Sequence, residues 1–97
     1  MPRATLNGVI LAQSDHTEVV EGNHYFPPES VNLYFLWESD TLTHCPWKGD
    51  AGHYTVEAGG ERVEDAAWYY PEPKVAAKNI KVKDHVAFYG NKVRVEG

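Results

Sequence analysis

The chain has one cysteine, so no internal disulfide can form and the disulfide-dense secreted scaffolds are excluded. It has no apolar run approaching the ~20 residues that a bilayer span requires. Residues 1–8, MPRATLNG, lack an apolar signal region, which with the lone cysteine points to a cytoplasmic protein. Paired C-x-x-C knuckles are absent. His24, His44, Cys45 and His53 are residue types that zinc accepts, but without such spacing no metal is expected, and no cofactor is implied. The G-x-x-x-x-G-K-[ST] phosphate loop is missing too.

What is present is ordinary globular composition, 42% hydrophobic and 24% charged, which excludes a disordered chain. At 97 residues the expectation is a single domain spanning 1–97 with one thin core. Three Trp, six Tyr and three Phe must then supply much of that core or line a pocket. Charge is unevenly spread. Residues 1–73 carry three basic and twelve acidic side chains, for −9, whereas residues 74–97 carry six basic and two acidic, for +4. The basic end attracts an anionic ligand or, the favoured reading, is a sheet edge protected by lysines. Neither a nucleic acid nor a membrane is expected as partner.

Turn signals recur every ten or so residues, the rhythm of an antiparallel, mainly β domain. Asn7-Gly8 joins a strand over 4–6 to one over 9–11, since Asn-Gly supplies the positive φ of a two-residue turn. Gly22-Asn23 joins 17–20 to 24–26, which Pro27-Pro28 ends. A hairpin about Gly90-Asn91 sets Phe88 opposite Val93 and Val86 opposite Val95, with Lys92, Arg94 and Glu96 outward. Two strands, 41–45 and 52–57, flank Cys45 to Asp50, and 66–70 forms another strand closed by Pro71. Pro73 to Lys78 is the one short helix expected, and Pro28-Glu29-Ser30 can start a helical turn. The run Leu33-Tyr34-Phe35-Leu36-Trp37 is unbroken in apolarity. It is read as core strand buried on both faces, with burial against a second copy in a homodimer as the alternative.

The most distinctive segment is Thr43 to Gly49. Cys45, Lys48 and His53 are the candidate catalytic set, since an ammonium favours a thiolate and His53 lies across the turn from it. His44, adjacent on a strand, points to the other face. A buried structural cysteine is the blander and favoured alternative. Lys48 to Gly52 offers glycines, backbone N–H groups and an ammonium to a phosphate, but a plain hairpin loop is favoured. Trp47, Tyr54, Trp68 and Tyr70 can stack on a flat ligand, or fill the core. Glu64-Asp65 and Glu38, Asp40 around Ser39 read as turn residues.

In order along the chain, Tyr25-Phe26-Pro27, Cys45-Pro46-Trp47-Lys48-Gly49, Ala66-Ala67-Trp68-Tyr69-Tyr70-Pro71 and Val86-Ala87-Phe88-Tyr89 resemble the domain of unknown function 427 family. The resemblance covers nearly the whole chain. It implies a compact β fold wrapped into a tent-like or barrel-like shape, and no established activity. It also brings a nucleotidyltransferase-like label, although the Gly-Ser pair and spaced aspartates by which such enzymes hold Mg²⁺ have no counterpart here. Tyr25, matching the family's motif, joins the aromatic set. The leading reading is therefore a small-molecule-binding β domain, its ligand held by Tyr25, Trp47, Lys48, Tyr54, Trp68 and Tyr70, with His53 as a further polar contact. A Cys45-dependent enzyme and a homo-oligomeric module without chemistry are the alternatives.

Overall fold

The computed structural model describes residues 1–74 and 81–97, and its strands begin and end where the sequence can turn. Strands β1 (Arg3–Leu6) and β2 (Val9–Gln13) meet at Asn7-Gly8, with Leu6 opposite Val9. Asn7 and Gly8 have φ of 50° and 80°, a region these two residues tolerate and bulkier ones avoid. Strands β3 (Glu18–Val20) and β4 (Asn23–Tyr25) form the second hairpin. Its turn is Glu21-Gly22, not Gly22-Asn23, because Asn23 pairs with Val20. The one-residue shift places Glu21 at the tip, in left-handed backbone at φ 54°.

Strands β5 (Leu36–Cys45), β6 (Gly49–Ala58), β7 (Glu61–Tyr69) and β8 (Val86–Phe88) make one four-stranded antiparallel sheet in that order. Strand β9 (Arg94–Glu96) lies in a second sheet, ordered β2-β1-β9. Phe26, just past β4, exchanges backbone hydrogen bonds of 2.8 and 2.9 Å with Val86, which ties the small hairpin to the edge of the large sheet. The fold is mainly β and antiparallel, and the sheets do not close into a barrel. Among the described residues no helix is long and apolar enough to cross a membrane.

Alternation assigns the two faces of the large sheet. Tyr54, Val56 and Ala58 of β6 share one face with Ala67 and Tyr69 of β7 and with Val86 and Phe88 of β8. That face packs on Ala4, Leu6, Leu11, Ala12 and Val93 from the other sheet and its borders, forming the main, largely aliphatic core. The opposite face carries a second, aromatic cluster of Tyr25, Ala51, Trp68, Tyr70, Val82 and Ala87.

Two sequence expectations are corrected here. The Gly90-Asn91 hairpin does not form: β8 pairs with β7, and β9 pairs with β1. Val86, Phe88 and Val93 are all buried in one core, so the alternation identified the inward face while the partner strands came from elsewhere. The run 33–37 is not buried on both faces either. Leu33–Phe35 is a single 3-10 turn whose start is capped by Asn32, its side chain accepting from the Tyr34 N–H. With three residues per turn only part of it can face the sheet. Leu36 is buried and Phe35 half-buried, whereas Tyr34 is 81% exposed and Leu33 and Trp37 also face solvent. Pro28–Ser30 is likewise a 3-10 turn, as expected. The helix expected over Pro73 to Lys78 falls largely outside the described residues.

The sheet is bent by paired irregularities. Between Glu38 and Leu42, β5 spends four residues against two of β6, and between Val63 and Ala67, β7 does the same against Tyr54 to Val56. Asp65, at φ 50° within the second bulge, reaches across β6 to the first. Its carboxylate accepts from Ser39 Oγ at 2.6 Å and Thr41 Oγ at 2.7 Å. These hydroxyls hold the Asp65 carboxyl below the ordinary value of 3.8, so its contribution to stability is present above that pH and lost as pH falls through the lowered value. Asp65→Asn is expected to cost about 1–2 kcal/mol at neutral pH, the worth of partly exposed bonds to a charged acceptor. Urea titrations should show wild type and variant converging as pH falls through and below 3.8; a difference that stays constant into acid would refute the staple.

Candidate functional site

The segment Cys45 to Gly49 is a tight connection between two paired strands. Cys45 pairs with Gly49, leaving Pro46, Trp47 and Lys48 as the turn. The carbonyls this turn frees are taken by Lys74: its N–H donates to Lys48 O and its ammonium to Pro46 O, both at 2.9 Å. Gly49 has φ 110°, and a Cβ there would sit 3.2 Å from the Glu72 carbonyl oxygen, so glycine alone closes the turn without displacing the chain beside it. Asp50 to Gly52 belong to β6 and are paired with β5, so this stretch is strand and its glycines form no phosphate-cradling loop.

Trp47 and Lys48 diverge. The Trp47 ring is exposed, at 37%, while Lys48 turns inward and keeps only 4% of its surface. Its ammonium lies 5.1 Å from the centre of the Trp47 ring and 5.6 Å from that of Tyr70, a position that the negative faces of aromatic rings favour. It donates to the Glu21 carboxylate at the tip of the β3–β4 hairpin. Burial alone would weaken its charge, but the bond to Glu21 and the neighbouring Tyr25, Glu21 and Cys45 hold its ammonium above the usual lysine value of 10.5. Burial, reinforced by Tyr25, Cys45, Glu21 and Tyr89, pushes the Tyr70 phenol well above its ordinary value of 10.0. At neutral pH the site therefore presents a fixed cation beside a neutral phenol. A protonated lysine is no nucleophile, and here the ammonium is already paired with the Glu21 carboxylate.

Behind Lys48 the aromatics are packed. Trp68 Nε1 donates to Tyr25 Oη at 3.2 Å, with the two rings edge to face at 6.0 Å. Tyr25 and Tyr70 lie 6.4 Å apart, and Tyr89 covers Trp68 at 4.4 Å. Tyr25, Trp68 and Tyr70 are all buried, and Trp47 is the exposed aromatic side chain of the group. Tyr54 is not brought to them. It stacks on Tyr69 at 4.8 Å on the opposite face of the sheet, where Tyr69 Oη donates to Glu38 at 2.6 Å.

His53 is not brought to Cys45. Both point to the aromatic face, but His53 lies four residues beyond the partner of Cys45, about 13 Å along the strand. Its ring is buried and engaged on both nitrogens. Nδ1 is 3.2 Å from the Thr41 carbonyl, which can only accept, and Nε2 is 3.3 Å from Tyr89 Oη. In the neutral ring Nδ1 thus carries the proton and Nε2 accepts from the phenol. His44 pairs with Asp50 at 2.7 Å on the exposed face, and His24 bonds Thr17 at 2.8 Å. Among the described residues no three His, Cys, Asp or Glu side chains are grouped to hold a metal ion.

Glu21 is the site residue that sequence reasoning missed. It is 27 positions from Lys48, in a turn, and no local pattern marks it as the lysine's partner. A family model described as domain of unknown function (DUF427) matches residues 2–97. No curated protein matches the chain.

Because the Lys48 ammonium is held above the free-lysine value, its stabilising contribution is complete below pH 10.5 and is lost as pH rises through the higher folded value. Lys48→Met, which keeps the buried stem, is expected to lower stability by about 1–2 kcal/mol at pH 7 through lost charge-assisted and ring contacts. Urea denaturation from pH 7 to 12 should show that difference shrinking only above about 10.5, the free-lysine value; shrinkage already near pH 8 would mean that the ammonium is not held.

Proposed function

Since the chain belongs to the DUF427 family, whose description names no activity, we propose from its own geometry that it binds a small molecule at the Pro46–Gly49 turn. One observation carries this reading: a lysine kept charged at 4% exposure directly beneath an exposed tryptophan. A charged group so enclosed is costly unless partnered, and its partner, Glu21, has a side chain 58% exposed to water. The indole of Trp47 offers a flat face, and Lys48 offers one positive charge over the ring, 5.1 Å from its centre. Tyr70 packs against the Lys48 ammonium from within, and Trp68 bonds Tyr25 behind it. Few convergent polar groups among aromatic walls is the usual make-up of a ligand site. Tyr54, on the other face, takes no part, and Cys45 packs against the aromatic cluster.

A thermal-shift screen of metabolites on wild type, Trp47→Ala and Lys48→Met tests this. A ligand at a hundred times its dissociation constant adds about 2.7 kcal/mol and should raise the wild-type midpoint by roughly 10 °C or more. Neither variant should respond. A compound stabilising all three equally binds elsewhere and counts against the reading.

A second reading, self-association, is favoured by one specific feature. Leu33, Tyr34 and Trp37 border an open groove of about 780 Å³ against the β6–β7 turn. A second copy covering this strip would produce a dimer that Trp37→Glu disrupts. Light scattering at 10–200 μM checks it, and a monomer throughout for the wild type would rule it out.

A further inference from the structure

The group seated on Lys48 is itself a clue to what the site takes. Glu21 approaches not from a packed strand but from the tip of a two-residue turn, at φ 54°, followed by Gly22 at φ 79°. The hairpin is held at its base, where Thr17 Oγ meets His24 Nδ1 at 2.8 Å and Phe26 pairs with Val86. Rotation of the Glu21 side chain alone would therefore clear the ammonium without disturbing either core. With Glu21 gone, Lys48 would be left charged and enclosed between two rings, which is unfavourable until another anion arrives.

Resting on the binding reading above, we propose that the ligand is a small planar monocarboxylate, and that Glu21 is its tethered competitor, occupying the position of the ligand's carboxylate in the free protein. A carboxylate fits better than a phosphate for two reasons. Lys48 supplies a single positive charge, and the group it holds in the free protein is itself a carboxylate, that of Glu21. A dianion would also face the displaced Glu21 carboxylate beside it. The planar body of the ligand lies against the exposed Trp47 ring, over which the Lys48 ammonium also sits, 5.1 Å from the ring centre.

The apparent affinity of a site that its own carboxylate occupies is reduced by the fraction of time it stands open. Removing the competitor should therefore tighten binding of a carboxylate and leave a neutral analogue alone. The test is an amide and indole NMR titration of wild type, Glu21→Gln, Glu18→Gln, Lys48→Met and the double variant Glu21→Gln/Lys48→Met. The probes are phenylacetate, phenylacetamide and phenyl phosphate. Expected is a gain of about five- to tenfold for phenylacetate in Glu21→Gln, read at the Trp47 indole and the Lys48 amide. Phenylacetamide should be unchanged there, and both variants carrying Lys48→Met should lose the phenylacetate response. Glu18→Gln removes the same charge from the same hairpin and should bring no gain. Equal phenylacetate affinity in wild type and Glu21→Gln overturns the competitor and leaves the binding reading standing, as does an equal gain in Glu18→Gln. A larger gain for phenyl phosphate than for phenylacetate overturns the ligand class. If none of the three probes perturbs Trp47 or Lys48 in any variant, the binding reading itself fails.

Discussion

The fold depends on β6 being flanked on both sides by strands longer than itself over adjoining stretches. Two extra residues in β5 are absorbed against residues 52–54 and two in β7 against residues 54–56, and a sheet so loaded must bend. A bend of this kind is costly unless the backbone groups it frees find partners. Here they do: Asp65 N–H donates to Thr55 Oγ at 3.3 Å, Tyr89 N–H to Ala66 O at 2.9 Å, and the Lys92 ammonium to Glu64 O and Asp65 O at 3.0 and 3.2 Å. The Asp65 carboxylate then fixes one bulge to the other through Ser39 and Thr41.

From that bend follows the division of labour between the two faces. Phe88, Val86, Val56 and their neighbours meet the β2-β1-β9 sheet in a core where shape and apolar area decide. The other face holds His53, Trp68, Tyr25, Tyr70 and Lys48, whose polar atoms need partners once buried. Among the described residues no buried side-chain nitrogen or oxygen is left without a hydrogen bond. The bulges contribute directly, because Thr41 O bonds His53 and Lys92 lies 5.5 Å over the Tyr89 ring that covers Trp68. Of the partners in this chain of contacts, Glu21 is the one carboxylate that reaches the aromatic face from an exposed turn.

How much of this the sequence discloses depends on the range of the interaction. Asn7-Gly8 and the turn after Cys45 are local, set by residue types that tolerate or force a bend, and both were legible. At the second hairpin Gly22 was a correct signal, but either neighbour could complete the turn, and only the Val20–Asn23 pairing decides for Glu21. The alternation of Val86, Phe88, Val93 and Val95 correctly marks the inward side chains. It cannot disclose that the strands they occupy pair with β7 and β1, many residues distant. The bulges were invisible for a related reason. Ser39 and Asp65 each read as turn residues in the sequence, but they lie within β5 and β7, in bulges, and what makes them structural is their meeting across β6. Tyr54 and Trp68 illustrate a subtler case, since the register placing His53 opposite Trp68 sends Tyr54 to the other face by parity alone.

The Cys45-Pro46-Trp47-Lys48-Gly49 motif gains its meaning from direction rather than from residue type. With three residues between paired Cys45 and Gly49, successive side chains cannot all turn the same way. Pro46 gives its carbonyl to Lys74, Trp47 goes to solvent, and Lys48 goes beneath it. Gly49 must then recover the strand through a left-handed conformation against the Glu72 carbonyl. Reversing the two middle residues would bury the indole and free the lysine, and the same composition would give an ordinary basic turn. The order Trp-Lys is thus what makes a hairpin connection into an enclosed cation with an aromatic roof. A carboxylate from elsewhere in the chain occupies that cation because an enclosed charge does not remain unpaired.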